Sequence, residues 1–138
     1  MAYQRFLICE SDELVRQSIR GVIDGAGHEV LAIPDAPAAL EALLTGEFVC
    51  AFIDIDRLDS NAFEIPQALR GKVLKRTPRL LAMTARGSAR DFQLARDAGF
   101  DTCLKKPINS TPLIVVLAQL HLQPWVKRPP WKQYRKQT

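Results

Sequence analysis

Short apolar runs alternate along the chain with longer segments in which apolar residues recur every third or fourth position. The short runs predict five strands, at residues 5–9, 28–33, 49–53, 79–83 and 101–105. The periodic segments predict five helices. Residues that can cap a helix N-terminus precede four of them, namely Ser11 or Asp12, Asp35, Ser88, and Asn109 or Ser110.

Prolines, glycines and apolar spacing refine these helices. The third helix is predicted over residues 63–74, after a polar loop, with Pro66 confined to its first turn. Gly46 and Gly99 should end the second and fourth helices. In the second helix, Leu40, Leu43 and Leu44 are expected to face inward. The apolar positions of the fourth helix are Phe92, Leu94 and Ala95.

Five strand–helix units of this length predict an α/β fold. We expect a flavodoxin-like, doubly wound sheet of five parallel strands in the order 2-1-3-4-5, with helices on both faces. A barrel would need about eight such units. The domain is expected over residues 1–123, followed by a tail over residues 124–138.

The net charge of +4 arises in the tail. Residues 124–138 hold five bases and no acid, so removing these five from the 19 leaves 14 bases against 15 acids in residues 1–123. The domain is therefore not expected to bind nucleic acid. In the tail, bases are interleaved with Trp125, Trp131 and Tyr134. Three interpretations stay open for it: disorder, packing of the tryptophans on helix five, and binding of single-stranded nucleic acid.

Composition argues against a membrane protein and a disulfide framework. The chain is 47% hydrophobic and 25% charged, as soluble domains are, and no apolar run approaches the roughly 18 residues of a membrane span. No signal peptide is visible, so the chain is expected in the cytoplasm. Cys9, Cys50 and Cys103 lie in apolar strand runs and are expected to be small core residues.

Reactive side chains stand at the ends of four predicted strands. Glu10 follows strand one, Asp54 strand three, Thr84 strand four and Lys106 strand five. Because the carboxyl ends of parallel strands meet at one edge of a sheet, we expect these side chains to form one site. A carboxylate, a hydroxyl and an amine brought together in this way suit phosphoryl transfer.

Over residues 5 to about 122, this set of residues resembles the receiver domain of two-component response regulators. The resemblance implies that Asp54 is the phosphoacceptor, Thr84 the family's hydroxyl and Lys106 the lysine of its lysine–proline pair. It further implies Mg²⁺ as the cofactor and a sensor histidine kinase or phosphotransfer protein as the partner. Residues 99–101, Gly-Phe-Asp, resemble the family's Gly-Ala-Asp turn before strand five.

Five positions depart from the family's pattern. The acidic pair falls on Glu10 and Ser11, so a serine stands where a metal-binding aspartate is expected. The other departures are Leu58 for a proline, Asn61-Ala62 for an Asp-Gly, Cys103 for the aromatic residue of strand five, and Lys105 directly before the lysine–proline pair.

The serine bears on metal binding. Glu10 and Asp54 can supply carboxylates and Asp56 a backbone carbonyl, whereas Ser11 offers at best a neutral oxygen. Mg²⁺ should therefore bind more weakly than in receivers with both acids. An alternative register would bring Asp12 inward in place of Ser11.

Arg86 and helix five add two further expectations. Arg86 could pair with Asp56, clamp a phosphoryl oxygen or stay solvated. Residues 112–118 of helix five are apolar on every side, although a sheet covers only one face of a helix. The outer face should meet the tail, a partner or a second copy. By resemblance, helix four, strand five and helix five form the usual output and dimer surface.

Two functions follow from these features. The leading hypothesis is a stand-alone receiver that accepts a phosphoryl group on Asp54 and signals through protein–protein interaction. It would not be an enzyme beyond catalysing its own phosphotransfer and dephosphorylation. The alternative is a pseudo-receiver, a binding module that is not efficiently phosphorylated. Ser11 and Cys103 favour the alternative, whereas Asp54, Thr84 and Lys106 favour phosphorylation.

Overall fold

A computed structural model of the chain describes residues 4–57, 61–74 and 76–122. The five strands are β1 (Arg5–Cys9), β2 (Glu29–Ile33), β3 (Cys50–Asp54), β4 (Arg79–Thr84) and β5 (Thr102–Lys105). The helices are α1 (Glu13–Gly25), α2 (Ala36–Thr45), α3 (Ile65–Leu69), α4 (Ala89–Ala98) and α5 (Ser110–Leu122), with a 3-10 turn (Ala62–Glu64) before α3. The predicted tail, the predicted departure at residue 58 and residue 75 lie outside the described residues.

All strand pairs are parallel, in the order β2-β1-β3-β4-β5. This confirms the predicted topology. The β3 strand lies at the centre with every residue buried, as expected for a strand covered on both faces. Because β3 is flanked by β1 and β4, its terminal Asp54 has a neighbouring strand end on each side.

Two apolar layers cover the sheet. On one face, α2, α3 and α4 pack on the strands through residues that include Leu43, Ile65 and Ala95. On the other face, α1 and α5 pack through residues that include Ile19 and Leu113. Each large buried side chain contributes about 1.5–3 kcal/mol relative to exposure. These two layers hold the strand ends, and so the residues beyond them, in fixed positions.

Local signals set the helix ends as expected. The side chain of Asp35 accepts a hydrogen bond from the Ala38 N–H, and Ser88 forms a reciprocal capping box with Asp91 at the start of α4. Gly99 ends α4 in the left-handed region, with φ of 110°. A Cβ at Gly99 would also lie 2.9 Å from the Cβ of Pro66, so α4 and α3 pack closely there.

Two predictions about the helices were wrong. The third helix does not run over residues 63–74, because Arg70 is extended and Gly71 has φ of 78°, so α3 ends at Leu69. Leu44 is exposed instead of facing the core, beside the buried Leu43. Leu94, an apolar position of the fourth helix, is also exposed.

None of the helices in the described ranges combines the length and the apolar character needed to cross a bilayer. Cys9 and Cys50 are buried and Cys103 is half-buried, and all three are free thiols. The expectation that the cysteines are small core residues is therefore confirmed for the first two and partly for the third.

Candidate functional site

One ammonium group joins the ends of three strands. Lys106 follows β5, and its Nζ lies 2.6 Å from Glu10 Oε1, after β1, and 3.0 Å from Asp54 Oδ1, the last residue of β3. The predicted meeting of these three residues is thus observed. Glu10 and Asp54 are only 2% and 6% exposed, so the two carboxylates share one partner at the edge of the core.

The pKa of Lys106 reflects this placement. Burial alone lowers the pKa of the ammonium, because it removes water from a charge. Hydrogen bonds to Glu10 and Asp54, together with the negative charge of both, outweigh burial and raise the pKa above the ordinary lysine value. Lys106 therefore stays charged throughout the neutral range and offsets part of the negative charge around Asp54.

The two oxygens of Asp54 have different surroundings. Oδ1 accepts hydrogen bonds from Lys106 Nζ and from the Asp56 N–H, both at 3.0 Å. Within the described part of the chain, no hydrogen bond reaches Oδ2. A cavity of about 220 Å³ borders Asp54, between the end of β1 and the turn from β2 into α2, with Arg57 at its rim. Asp54 can therefore be approached from this side.

Thr84, the last residue of β4, is buried. Its hydroxyl donates a hydrogen bond of 2.6 Å to Asp56 Oδ1 and accepts one of 3.1 Å from the Arg86 N–H. The other oxygen of Asp56 accepts a hydrogen bond of 2.7 Å from the Ala85 N–H and lies 4.0 Å from Lys106 Nζ. Asp56 thus bridges the end of β4 to the centre of the site.

This side-chain role of Asp56 was missed from the sequence, where the residue was expected to offer its backbone carbonyl. Its side-chain partners are 28 and 29 positions away along the chain. No local spacing rule connects residues so far apart. The signal available was the position of Asp56 two residues past a strand end, beside the strand that ends at Thr84. Arg86 pairs loosely with Asp56, at 3.9 Å, and remains largely exposed, so two of the predicted alternatives hold together.

Asp12 does not replace Ser11 in the site. Its carboxylate caps α1 by accepting hydrogen bonds from the Leu14 and Val15 N–H groups, at 2.8 and 3.3 Å. The Asp12 N–H binds Glu10 Oε2 at 3.2 Å, which helps to hold Glu10 in place. Ser11 is exposed at the rim. The alternative register is therefore wrong.

The donor set fits Mg²⁺. Mg²⁺ is bound by one or two carboxylates together with waters and phosphate oxygens, and Glu10 and Asp54 supply two carboxylates within reach of one ammonium. Among the described residues, no group of three or more His, Cys, Asp or Glu side chains is arranged to hold a metal ion.

Comparisons with known proteins identify the family of the chain. The family model of the response regulator receiver domain matches residues 6–118, so the chain belongs to the receiver domain family. The response regulator protein PmrA of Pseudomonas aeruginosa is 35% identical over 105 residues, which are 76% of this chain and 47% of that protein. The transcriptional regulatory protein CpxR of Klebsiella pneumoniae is 26% identical over 134 residues, 97% of this chain and 54% of that protein.

The chain thus spans about half the length of these curated relatives. Solved structures show the same fold. A CheY-like receiver domain from Methylobacillus flagellatus has a TM-score of 0.74 at 22% identity, covering 86% of this chain and 99% of that one. The receiver domain of a sensor histidine kinase of Pseudomonas aeruginosa, with a magnesium ion coordinated in its active-site cleft, has a TM-score of 0.76 at 19% identity, covering 88% and 100%.

Proposed function

We propose that this receiver accepts a phosphoryl group on Asp54 from a sensor histidine kinase or a phosphotransfer protein in the cytoplasm. The observation that carries the proposal is the ammonium of Lys106 bound to both Asp54 and Glu10. A carboxylate that attacks a phosphoryl group brings negative charges together, and phosphoryl transfer depends mainly on positioning and on neutralising that charge. Lys106 supplies a fixed positive charge where the charges meet.

In the proposed reaction, Oδ2 of Asp54 attacks phosphorus, because Oδ1 is held by Lys106 and by the Asp56 N–H. The bond between phosphorus and the donor's leaving group breaks, and the leaving group keeps the electron pair. The product is an acyl phosphate on Asp54. Attack by water later returns the carboxylate and inorganic phosphate, which is the only turnover we propose for the domain.

Mg²⁺ in the site would neutralise the oxygens of the transferred group. We propose Glu10 and Asp54 as its carboxylate ligands and the backbone carbonyl of Asp56 as a third. Ser11, beside Glu10 and exposed, adds at most a neutral oxygen, so we expect weak binding of the ion.

Intact mass measurement tests the proposal. The protein is incubated with phosphoramidate and Mg²⁺, and the expected result is the mass of one added phosphoryl group, absent from Asp54→Asn. The adduct should disappear in hydroxylamine, which cleaves acyl phosphates. An adduct that survives in Asp54→Asn would place the chemistry on another residue and refute the proposal.

A pseudo-receiver is the second candidate function. Two observations favour it: Ser11 leaves the acidic pair incomplete, and the Asp56 carboxylate already occupies the Thr84 hydroxyl and the Ala85 N–H. A binding module of this kind would keep the fold without using the chemistry. No adduct in the mass experiment, from a folded protein with a receiver-like circular dichroism spectrum, would favour this candidate.

For output, we propose the surface formed by α4, β5 and α5, which would bind a protein partner or a second copy of the chain and not nucleic acid. Ile114 and Val115 on α5 are 57% and 49% exposed, and Leu94 on α4 is also exposed. Ile114 and Val115 are consecutive on α5, and an exposed apolar patch favours a protein contact over a solvated surface. Light scattering of Ile114→Glu and of the parent over a range of concentrations tests self-association, which the variant should weaken.

A further inference from the structure

The carboxylate of Asp56 accepts hydrogen bonds from groups that an acyl phosphate on Asp54 would need as donors. Its two oxygens bind the Thr84 hydroxyl at 2.6 Å and the Ala85 N–H at 2.7 Å, and Oδ2 lies 4.0 Å from Lys106 Nζ. Its own N–H binds Asp54 Oδ1 at 3.0 Å. The carboxylate is thus tethered two residues from the nucleophile and anchored on the neighbouring strand end.

Three donors lie beside the Asp56 carboxylate, at the ends of β4 and β5: the Thr84 hydroxyl, the Ala85 N–H and the Lys106 ammonium. A phosphoryl group on Asp54 carries oxygens that need hydrogen-bond donors and positive charge. The Thr84 hydroxyl and the Ala85 N–H bind the Asp56 carboxylate, and the Lys106 ammonium binds Asp54 itself. We call these three donors the anion seat.

We infer that the carboxylate of Asp56 is an internal occupant of the anion seat and competes with the phosphoryl group on Asp54. This inference rests on the proposed function, since it concerns the same site. The anion already in place satisfies Thr84 and Ala85 before any phosphoryl group arrives. Phosphorylation must therefore displace Asp56, whose charge also repels the incoming group.

Competition of this kind has a second consequence. Thr84 is already drawn to an anion in the unphosphorylated chain, so the position of its hydroxyl should differ little before and after phosphorylation. Arg86 lies 3.9 Å from Asp56, is largely exposed and already pairs loosely with this carboxylate. It can receive Asp56 when the seat is taken by phosphate.

The first measurement is amide hydrogen exchange at Ala85 in the unphosphorylated full chain. Asp56→Ala removes the acceptor, and exchange at Ala85 should quicken about tenfold or more, as expected for loss of a hydrogen bond to a charged group. Asp56→Asn keeps one acceptor oxygen and should fall between. Asp24→Ala, which removes an exposed carboxylate on α1, is the matched control and should leave Ala85 unchanged.

The second measurement is the rate of adduct formation with phosphoramidate and Mg²⁺ in the same variants. Asp56→Ala should react about tenfold faster than the parent, on the same physical ground, and Asp24→Ala at the parental rate. Unchanged exchange at Ala85 overturns the occupancy of the seat. Equal, measurable rates in the parent and in Asp56→Ala overturn the competition. If neither protein forms an adduct while exchange at Ala85 still responds to Asp56→Ala, Asp56 occupies the anion seat, but the proposed function and the competition that rests on it are both refuted.

Discussion

Replacing Lys106 by methionine removes the charge that Glu10 and Asp54 share while keeping a side chain of similar length. The two carboxylates, 2% and 6% exposed, would be left in the core edge with no cation between them. Breaking a buried ion pair from one side costs about 3–5 kcal/mol. Lys106 keeps 15% of its side chain exposed, so water can reach the gap, and we expect a loss near the lower end, about 3 kcal/mol.

The loss should depend on pH in a defined direction. Burial opposes the shift, but hydrogen bonds to Glu10 and Asp54 and the charges of both raise the folded-state pKa of Lys106 above its ordinary value of 10.5. A group with a raised folded pKa contributes stability that is present below the unfolded pKa and is lost as pH rises through the folded pKa. The deficit of Lys106→Met should therefore be large at pH 7 and shrink as pH rises above 10.5.

Equilibrium urea unfolding, followed by circular dichroism at several pH values, measures this deficit. Lys105→Met, which removes the exposed neighbouring lysine, should stay within about 0.5 kcal/mol of the parent. Glu10→Gln combined with Lys106→Met should recover part of the loss. A deficit no larger than that of Lys105→Met, or one that does not change with pH, would show that the shared ammonium does not stabilise the fold.

Three further outcomes are expected. Gly99→Ala should lower the free energy of unfolding by about 1–2 kcal/mol, because φ is 110° and the new Cβ meets Pro66 at 2.9 Å. Gly21→Ala lies in a helix and its new Cβ meets nothing within 4 Å, so it should raise the free energy of unfolding by about 0.5–1 kcal/mol. Denaturant titration of the two variants measures both changes. Burial, with the charge of Asp54, raises the pKa of Cys9 from 9.0 to about 12. At pH 8, alkylation of Cys9 should therefore be about a thousandfold slower in native than in urea-unfolded protein, and fast alkylation of the native protein would contradict this burial. The stability that the neutral thiol provides should fall as pH rises above 9. Ser11→Asp should tighten Mg²⁺ about tenfold by calorimetry, and unchanged affinity would show that position 11 does not face the ion.

The architecture could be predicted because each element carries its own signal. Apolar runs, capping residues and glycines identify the five strand–helix units, and parallel crossover rules then order the strands. The helix after β3 was predicted too long: α3 ends at Leu69, yet Leu74 still packs in the same core from beyond the helix. Apolar spacing alone does not separate these two cases.

Three residues of the site could be placed from the sequence, whereas the Asp56 side chain could not. Glu10, Asp54 and Lys106 could be brought together from the sequence because each directly follows or ends a strand, and strand order fixes which ends are neighbours. The Asp56 carboxylate could not, because its direction depends on the loop conformation after β3 and on hydrogen bonds to β4. Side-chain direction in a loop is set by tertiary contacts that a strand pattern does not encode.

The contact between Lys106 and Asp54 joins residues 52 positions apart and closes over the completed sheet. Contacts of such long sequence separation form late in folding, since closing the intervening chain costs entropy before the contact stabilises anything. We therefore expect substitutions at Lys106 to accelerate unfolding more than they slow folding. Sequence change at the site would then alter the lifetime of the native state while leaving the route by which the sheet assembles largely untouched.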